Sequence, residues 1–291
     1  MLAAKLAGVP RRAYTVHGLP LETASGLTRR LLRAAERTSC RLATRLLAVS
    51  PSLRERCIEL GLCQSAKMGM LGHGTACGVS LERFTRTPQI GEAAAELRRV
   101  AGVPEDALVI GYVGRIVGDK GIDSLVEAYR RAAAKRPETW LAVIGDSEPD
   151  RGVVQAATLR EIESNPRIWR VPFVDAIEPY YAAMDVLVLP SRREGFGYTL
   201  VEAAAMELPT IATRVTGCVN AVIHEQTGLL VPPDDAAALA EAIERLLADG
   251  ALRKCMGAAG RRMVAERYDS KLVIREHLNM YRAMMTGDDN C

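Results

Sequence analysis

Two glutamates flank a glycine turn in the stretch REGFGYTLVEAAA, residues 193 to 205. Glu194 precedes Gly195-Phe196-Gly197, and Glu202 follows eight residues after Glu194 in an alanine-rich run. The apolar run Val186-Leu187-Val188-Leu189 reads as the strand before the turn, and a helix is predicted to begin near Tyr198. A strand that turns into a helix is where α/β proteins place ligands. Two carboxylates there would repel a phosphate but suit hydroxyl groups, which points to a sugar. A second stretch, GYVGRIVGDKGIDSLVEAYRR, puts Arg115 and Lys120 after another apolar strand and before another helix start. It fits neither G-x-x-x-x-G-K-[ST] nor G-x-G-x-x-G. An arginine fork and a lysine point charge beside a helix N-terminus favour a diphosphate. Alone, these cations read as exposed side chains of a surface loop. Joined to Glu194 and Glu202 at another strand end of one sheet, they describe a nucleotide-sugar site.

The elements that must position these groups follow from the apolar runs. Ala107 to Val113, Trp140 to Ile144, Arg167 to Val171, Val186 to Leu189 and Thr210 to Thr213 read as strands. Helices are predicted between them over 123–134 and 154–162 and after them over 235–247, 251–266 and about 271–285. Short, almost wholly apolar strands alternating with helices indicate a parallel sheet covered on both faces. The first part repeats the alternation, with strands at Ala13 to Val16, Leu46 to Val49 and, more weakly, Met68 to Leu71. Ser50-Pro51 opens a helix there, with Gly61 closing it. The segment FTRTPQIGEAAAELRRVAGVPEDA reads as a linker with one short helix. The organisation is therefore α/β, with units at 1–85 and 86–268 and a C-terminal helix and tail at 269–291.

Composition narrows the function. A net charge of +3 and 4% aromatic residues give no case for nucleic-acid binding. No run approaches the ~20 apolar residues of a membrane span, and the N-terminus is a poor signal peptide. The seven scattered cysteines contain no C-x-x-C pair, so they read as reduced thiols of a cytoplasmic protein rather than a metal site. Arg29, Arg33, Arg37 and Arg41 recur every fourth residue, with Leu27 and Leu31 on a different face. This is either a solvated helix face or a basic amphipathic helix over 27–41 that lies on an anionic membrane.

GRIVGDKG, YYAAMDVLVLPSRREGFGYTLVEAAAMELPTIAT and TGLLVPPDD resemble the donor-binding domain of family 4 retaining glycosyltransferases, which have the GT-B fold of two Rossmann-like domains. The glutamates match that family's E-x7-E motif. YTVHGLP, ATRLLAVSPSLRERCIELGL and GVSLERF resemble its acceptor-side domain, and the similarity runs from about Tyr14 to about Tyr268. The resemblance implies catalytic roles for His17, Arg115, Lys120 and Glu194. It implies donor contacts from Gly114, Arg115, Lys120, Val171, Glu194, Gly195, Phe196, Gly197 and Glu202. Arg115 and Lys120 would hold the diphosphate, Glu194 the sugar hydroxyls and Glu202 the ribose. Main-chain groups near Val171 to Val174 would read the base, and His17 would face the anomeric centre or the acceptor. It further implies retention of configuration without metal or cofactor, a UDP-sugar donor, and a saccharide or lipid-linked acceptor at the inner membrane face.

Departures from the family temper these expectations. The opening strand and glycine-rich loop have no counterpart before Tyr14, so the N-terminal domain is expected to be incomplete. Its open sheet edge is expected to pair with a second copy or to leave that domain mobile. Cys77, Ser80 and Glu207 replace an asparagine, an aspartate and a glycine common in the family. Three other readings remain, one of them a nucleotide-sugar epimerase with the same fold, against which the E-x7-E pattern points to a transferase. A donor-binding homologue without turnover keeps every donor contact. A glycosidase needs carboxyl groups about 5 to 10 Å apart across the bond, and it leaves Arg115 and Lys120 unexplained. His17 closes a strand, where a turn residue is as common as a catalytic one.

Overall fold

A computed structural model describes residues 1–148 and 152–286. Among the described residues nine strands form two parallel sheets. They are β1 (Ala13–Val16), β2 (Arg45–Ala48), β3 (Met68–Gly69), β4 (Val109–Val113), β5 (Trp140–Ile144), β6 (Ile168–Val171), β7 (Val186–Leu189), β8 (Thr210–Thr213) and β9 (Gly228–Val231). The helices are α1 (Leu2–Leu6), α2 (Gly26–Leu42), α3 (Pro51–Glu59), α4 (Pro88–Val100), α5 (Ile122–Lys135), α6 (Ala156–Ser164), α7 (Glu178–Ala182), α8 (Tyr198–Ala205), α9 (Cys218–Ala221), α10 (Ala236–Ala248), α11 (Gly250–Arg267) and α12 (Ser270–Thr286).

The first sheet has the order β1-β2-β3, and the second β6-β5-β4-β7-β8-β9. In the second, Ile110 pairs with Leu141 on one side and Val186 on the other. Every residue of β7 and β8 is buried, as helices on both faces of a parallel sheet require. Strand order runs outward in both directions from the β4–β7 pair, so the loops leaving these two strands diverge and leave a crevice.

The strand series and the long helices lie within one or two residues of their predicted places. Three features correct the expectations. The segment read as a linker carries the 13-residue helix α4, with Thr87 as its cap and Pro88 in its first turn, packed against α7. Strand β9 lies inside TGLLVPP, whose glycine and prolines mask it. Gly228 is needed there because a Cβ would stand 2.2 Å from the Thr210 carbonyl oxygen of β8. Strand β3 is two residues long, shorter than its apolar run.

The two sheets are joined twice. After α11 the chain runs back alongside the outgoing segment: Val79 N–H donates to Tyr268 C=O at 2.8 Å, and Ser270 N–H to Val79 C=O at 3.0 Å. Helix α12 then lies on the first unit, where Lys271 pairs with Glu82 at 2.5 Å and Met284 sits beside Pro10 and Thr44. Helix α11 crosses α8 at Gly257 and Gly260, where a Cβ would meet the Glu207 carbonyl at 2.0 Å and the Ala204 methyl at 3.2 Å.

Candidate active site

Arg115, Lys120, Glu194 and Glu202 stand on the segments that follow β4 and β7. After β4, Gly114 and Arg115 lead into a tight turn over Gly118–Lys120, and Gly121 opens α5. Gly121 has φ 71°, and a Cβ on it would stand 2.0 Å from the Pro190 carbonyl oxygen. Only glycine meets both demands. This approach brings the β4 loop against the end of β7, so that Lys120 Nζ pairs with Glu194 Oε1. The Ser191 hydroxyl donates to the same carboxylate oxygen at 2.8 Å. The pair is mostly buried, with side chains 19% and 13% exposed. Beneath it the Cys218 thiol is pushed well above its usual pKa, first by burial and then by the Glu194 charge, with Lys120 opposing. That thiol is inert. A second ion pair, Asp119 with Arg193 at 2.6 Å, closes the same loop junction, and Arg193 also donates to Thr23 Oγ1 of the first unit at 3.1 Å.

Arg115 is held from two sides. Its Nη1 lies 2.9 Å from Glu148 Oε2, and its carbonyl accepts the Tyr112 hydroxyl at 2.6 Å. Tyr112 is fully buried, and burial raises its pKa first, with the charges of Glu194 and Asp119 adding and Arg115 opposing.

Glu202 sits one turn into α8 and accepts the Tyr181 hydroxyl at 2.8 Å. Burial raises its pKa, opposed by the Tyr181 hydrogen bond and the Arg83 charge, while Glu178 adds to the rise. Tyr181 is itself shifted well upward, chiefly by burial, so it remains a hydrogen-bond donor. A cleft of about 590 Å³ joins Glu202 to Arg115 and runs past Asp146, Phe173 and Val174. A groove of similar size, about 610 Å³, lies along α5 and α6. Its walls carry surface charges of both signs and none of the residues above.

The structure thus brings Arg115 and Glu202 into one cleft and joins Lys120 directly to Glu194. Gly114 also lines the cleft. Phe196 turns inward, 2% exposed, with its ring edge-on to Tyr198 and Tyr268 at centroid distances of 5.3 and 4.9 Å. It anchors the turn, whose main chain packs against Gly217 and Ser50. Gly197 takes φ 78° and starts α8. Val171 ends β6 with its side chain in the core, and its carbonyl accepts Gly145 N–H at 3.0 Å. Phe173 and Val174 line the cleft in its stead. His17 follows β1, is solvent-exposed, and stands with its carbonyl against Gly195.

Sequence reasoning missed Glu148, Tyr181 and Arg83. Glu148 is an acid just past the end of β5, beside β4. Tyr181 lies in YYAAMD and Arg83 in GVSLERF, and neither has a spacing that ties it to Glu202. The first unit closes on the site through Ser50, whose hydroxyl caps α3 and donates to Gly195 C=O at 2.8 Å. Ser52 Oγ accepts Gly217 N–H at 2.9 Å, and Thr75 Oγ1 donates to Tyr198 Oη at 2.9 Å. On α2 the arginine column does not form one free face. Arg33 donates to Leu60 C=O at 2.5 Å, and Arg37 and Arg41 border a cavity with Cys40, Cys63 and Lys67. Leu27 and Leu31 are 71% and 63% exposed. No described helix is long and apolar enough to cross a membrane. Among the described residues no group of three or more His, Cys, Asp or Glu is placed to hold a metal.

Two parallel α/β units facing each other, with the cleft at the switch point of the second, make the GT-B arrangement of glycosyltransferases. The chain belongs to the glycosyl transferases group 1 family, which matches residues 94–263, and a glycosyl transferase 4-like domain matches residues 1–74. It is 35% identical over 284 residues to the capsular polysaccharide biosynthesis glycosyltransferase CapM of Staphylococcus aureus, spanning 98% of this chain and 73% of CapM. Sucrose-phosphate synthase from Thermosynechococcus elongatus superposes with a TM-score of 0.81 at 29% identity, over 98% of this chain and 71% of that one. HepE from Anabaena, crystallised with UDP and glucose, has the same fold, with a TM-score of 0.80 at 20% identity over 97% of this chain and 74% of HepE.

Proposed function

We propose that this glycosyltransferase moves a sugar from a nucleotide-sugar, a UDP-sugar above all, to a saccharide or lipid-linked acceptor in polysaccharide or glycolipid synthesis. It does so with retention of configuration and without a divalent metal. The reading rests on one observation: at the carboxyl ends of the second sheet, Arg115 and Glu202 line one cleft and Lys120 pairs with Glu194. The donor diphosphate would take Lys120 and Arg115, whose charges neutralise the departing nucleoside diphosphate as the glycosidic bond breaks. Glu194, released from Lys120, would accept hydrogen bonds from sugar hydroxyls, and Glu202 those of the ribose. Phe173 and Val174 would border the base. The name of the Staphylococcus aureus relative supports the acceptor class, and the UDP in HepE supports the donor.

Calorimetric titration with UDP, GDP, ADP and their sugars tests the donor. Release of nucleoside diphosphate with a panel of saccharide and lipid-linked acceptors tests transfer. Tight binding with turnover is expected. Binding without turnover across the panel leaves a donor-binding protein, and no binding at all overturns the reading.

A further inference from the structure

We propose that Arg83, carried on the segment that joins the two units, is a positioning residue for the donor ribose, acting from its place beside Glu178 and Glu202 in the wall of the cleft. The inference rests on Glu202 as the ribose acceptor and extends it to a residue outside the donor domain's own motifs.

The geometry is specific. Arg83 lies just after Val79, where the chain leaves the first unit, yet its side chain lines the same cleft as Glu202 and Arg115. Its Nε pairs with Glu178, and its Nη2 donates to Asp175 C=O at 2.6 Å. The guanidinium also stands 5.1 Å from the centre of the Phe84 ring. These contacts fix one orientation for a side chain that is otherwise half exposed.

The electrostatics explain the need. Glu178 is 8% exposed and acts on Glu202 as a like charge. Burial and that like charge both work against the ionised form of Glu202, which a nearby cation favours. Arg83 is the cation that acts on both carboxylates. Tyr181 supplies the one neutral hydrogen bond to Glu202. The other charged groups on the cleft wall are Arg115, Asp146, Glu148 and Asp175, of which Arg115 is engaged by Glu148. A protonated Glu202 offers one acceptor fewer and turns a donor toward the ribose, so its charge state governs the contact.

The test is calorimetry on the full chain with whichever of UDP, GDP and ADP binds best, and with its 2′,3′-dideoxy form. Arg83→Met should weaken the ribonucleotide about tenfold at neutral pH, as loss of a charge-assisted contact does. The acid limb of binding should move to higher pH, and Arg83→Lys should restore both. The dideoxy nucleotide, which lacks the hydroxyls Glu202 would hold, should bind the Met variant and the unmodified protein alike. Thermal melts of both variants separate this from a folding defect. Equal losses for both nucleotides, or an unmoved acid limb, overturn the role of Arg83 while leaving donor binding intact. Failure of the unmodified protein to bind any nucleotide overturns the donor reading itself.

Discussion

Gly195→Ala is a direct probe of how the two units cooperate. A Cβ on Gly195 would stand 1.7 Å from the His17 carbonyl oxygen, where ordinary contact begins at 3.4 Å. The backbone of the first unit must therefore retreat by about 1.7 Å from the turn that carries Glu194. Gly217 packs on the other side of the turn, its own Cβ position 2.7 Å from the Gly195 carbonyl carbon, so the turn has no room to yield that way. The same retreat stretches the 2.8 Å bond from Ser50 to Gly195 beyond hydrogen-bond range, a loss of about 1 kcal/mol. The units are joined by a hydrogen-bonded pair of crossing segments, so they separate there before either core is disturbed. Misplacing reacting groups by about 1 Å lowers turnover on the order of 100-fold. Steady-state release of nucleoside diphosphate should show that loss in kcat, while calorimetry finds a much smaller loss of donor affinity, since the proposed contacts of Arg115, Lys120 and Glu202 lie away from the retreating backbone. The melting temperature should fall by only a few degrees. Retained kcat would refute the reasoning, as would a loss of donor affinity equal to the loss of kcat.

Other perturbations address single contacts. Lys120→Ala and Arg115→Ala should each weaken nucleoside diphosphate binding on the order of 100-fold by calorimetry, since each removes a charge-assisted diphosphate contact; unchanged affinity in both overturns the phosphate assignment. Burial raises the Glu202 pKa, so donor affinity should be complete where that carboxylate is ionised and be lost as pH falls through a value above the usual glutamate range. Tyr181→Phe removes the hydrogen bond that opposes this rise, and the acid limb of a binding-versus-pH series should move further up. Glu207 holds φ 57°, a left-handed conformation that is strained for a side chain; Glu207→Gly should raise stability by about 1 kcal/mol in denaturant titration, with turnover unchanged. The exposed Leu27 and Leu31 on α2 are expected to carry the chain to anionic vesicles at low salt, with Leu31→Glu reducing sedimentation. No sedimentation of the unmodified chain would rule this out.

The strands of the second sheet were legible because a strand buried on both faces is almost continuously apolar, as in VIGYV and VLVL. Their order was not. Nothing in the runs themselves says that β4 sits between β5 and β7, and that placement is what brings Lys120 to Glu194. Strand β9 escaped because its glycine and following prolines are turn signals locally, whereas tertiary packing demands the glycine. Helix α4 was expected only as one short helix within a linker, because the proline and polar residues around it read as linker, though both are ordinary for a first turn. Arg115, Lys120, Glu194 and Glu202 could be picked out by charge type beside strand ends. Tyr181 and Glu148, which orient two of them, carry no such signal, since a tyrosine in an apolar run reads as core. The substitution at Glu207, visible only as a departure from a family pattern, acquires its meaning from a backbone angle.

The adjacent return of the chain beside its own exit has a mechanical consequence. Val79 and Asp269 lie side by side as a parallel bridge, so the two covalent passages between the lobes form one short axle rather than two separate tethers. Gly78 sits in this axle with φ 66°, packed so closely that a Cβ would stand 2.6 Å from the Tyr268 carbonyl oxygen. Sliding or twisting of the lobes would tear the bridge, whereas swinging about it leaves both passages intact. The bonds of Ser50 to Gly195, Ser52 to Gly217 and Thr75 to Tyr198 also span the lobes, so all of them must break before such a swing can open the jaws.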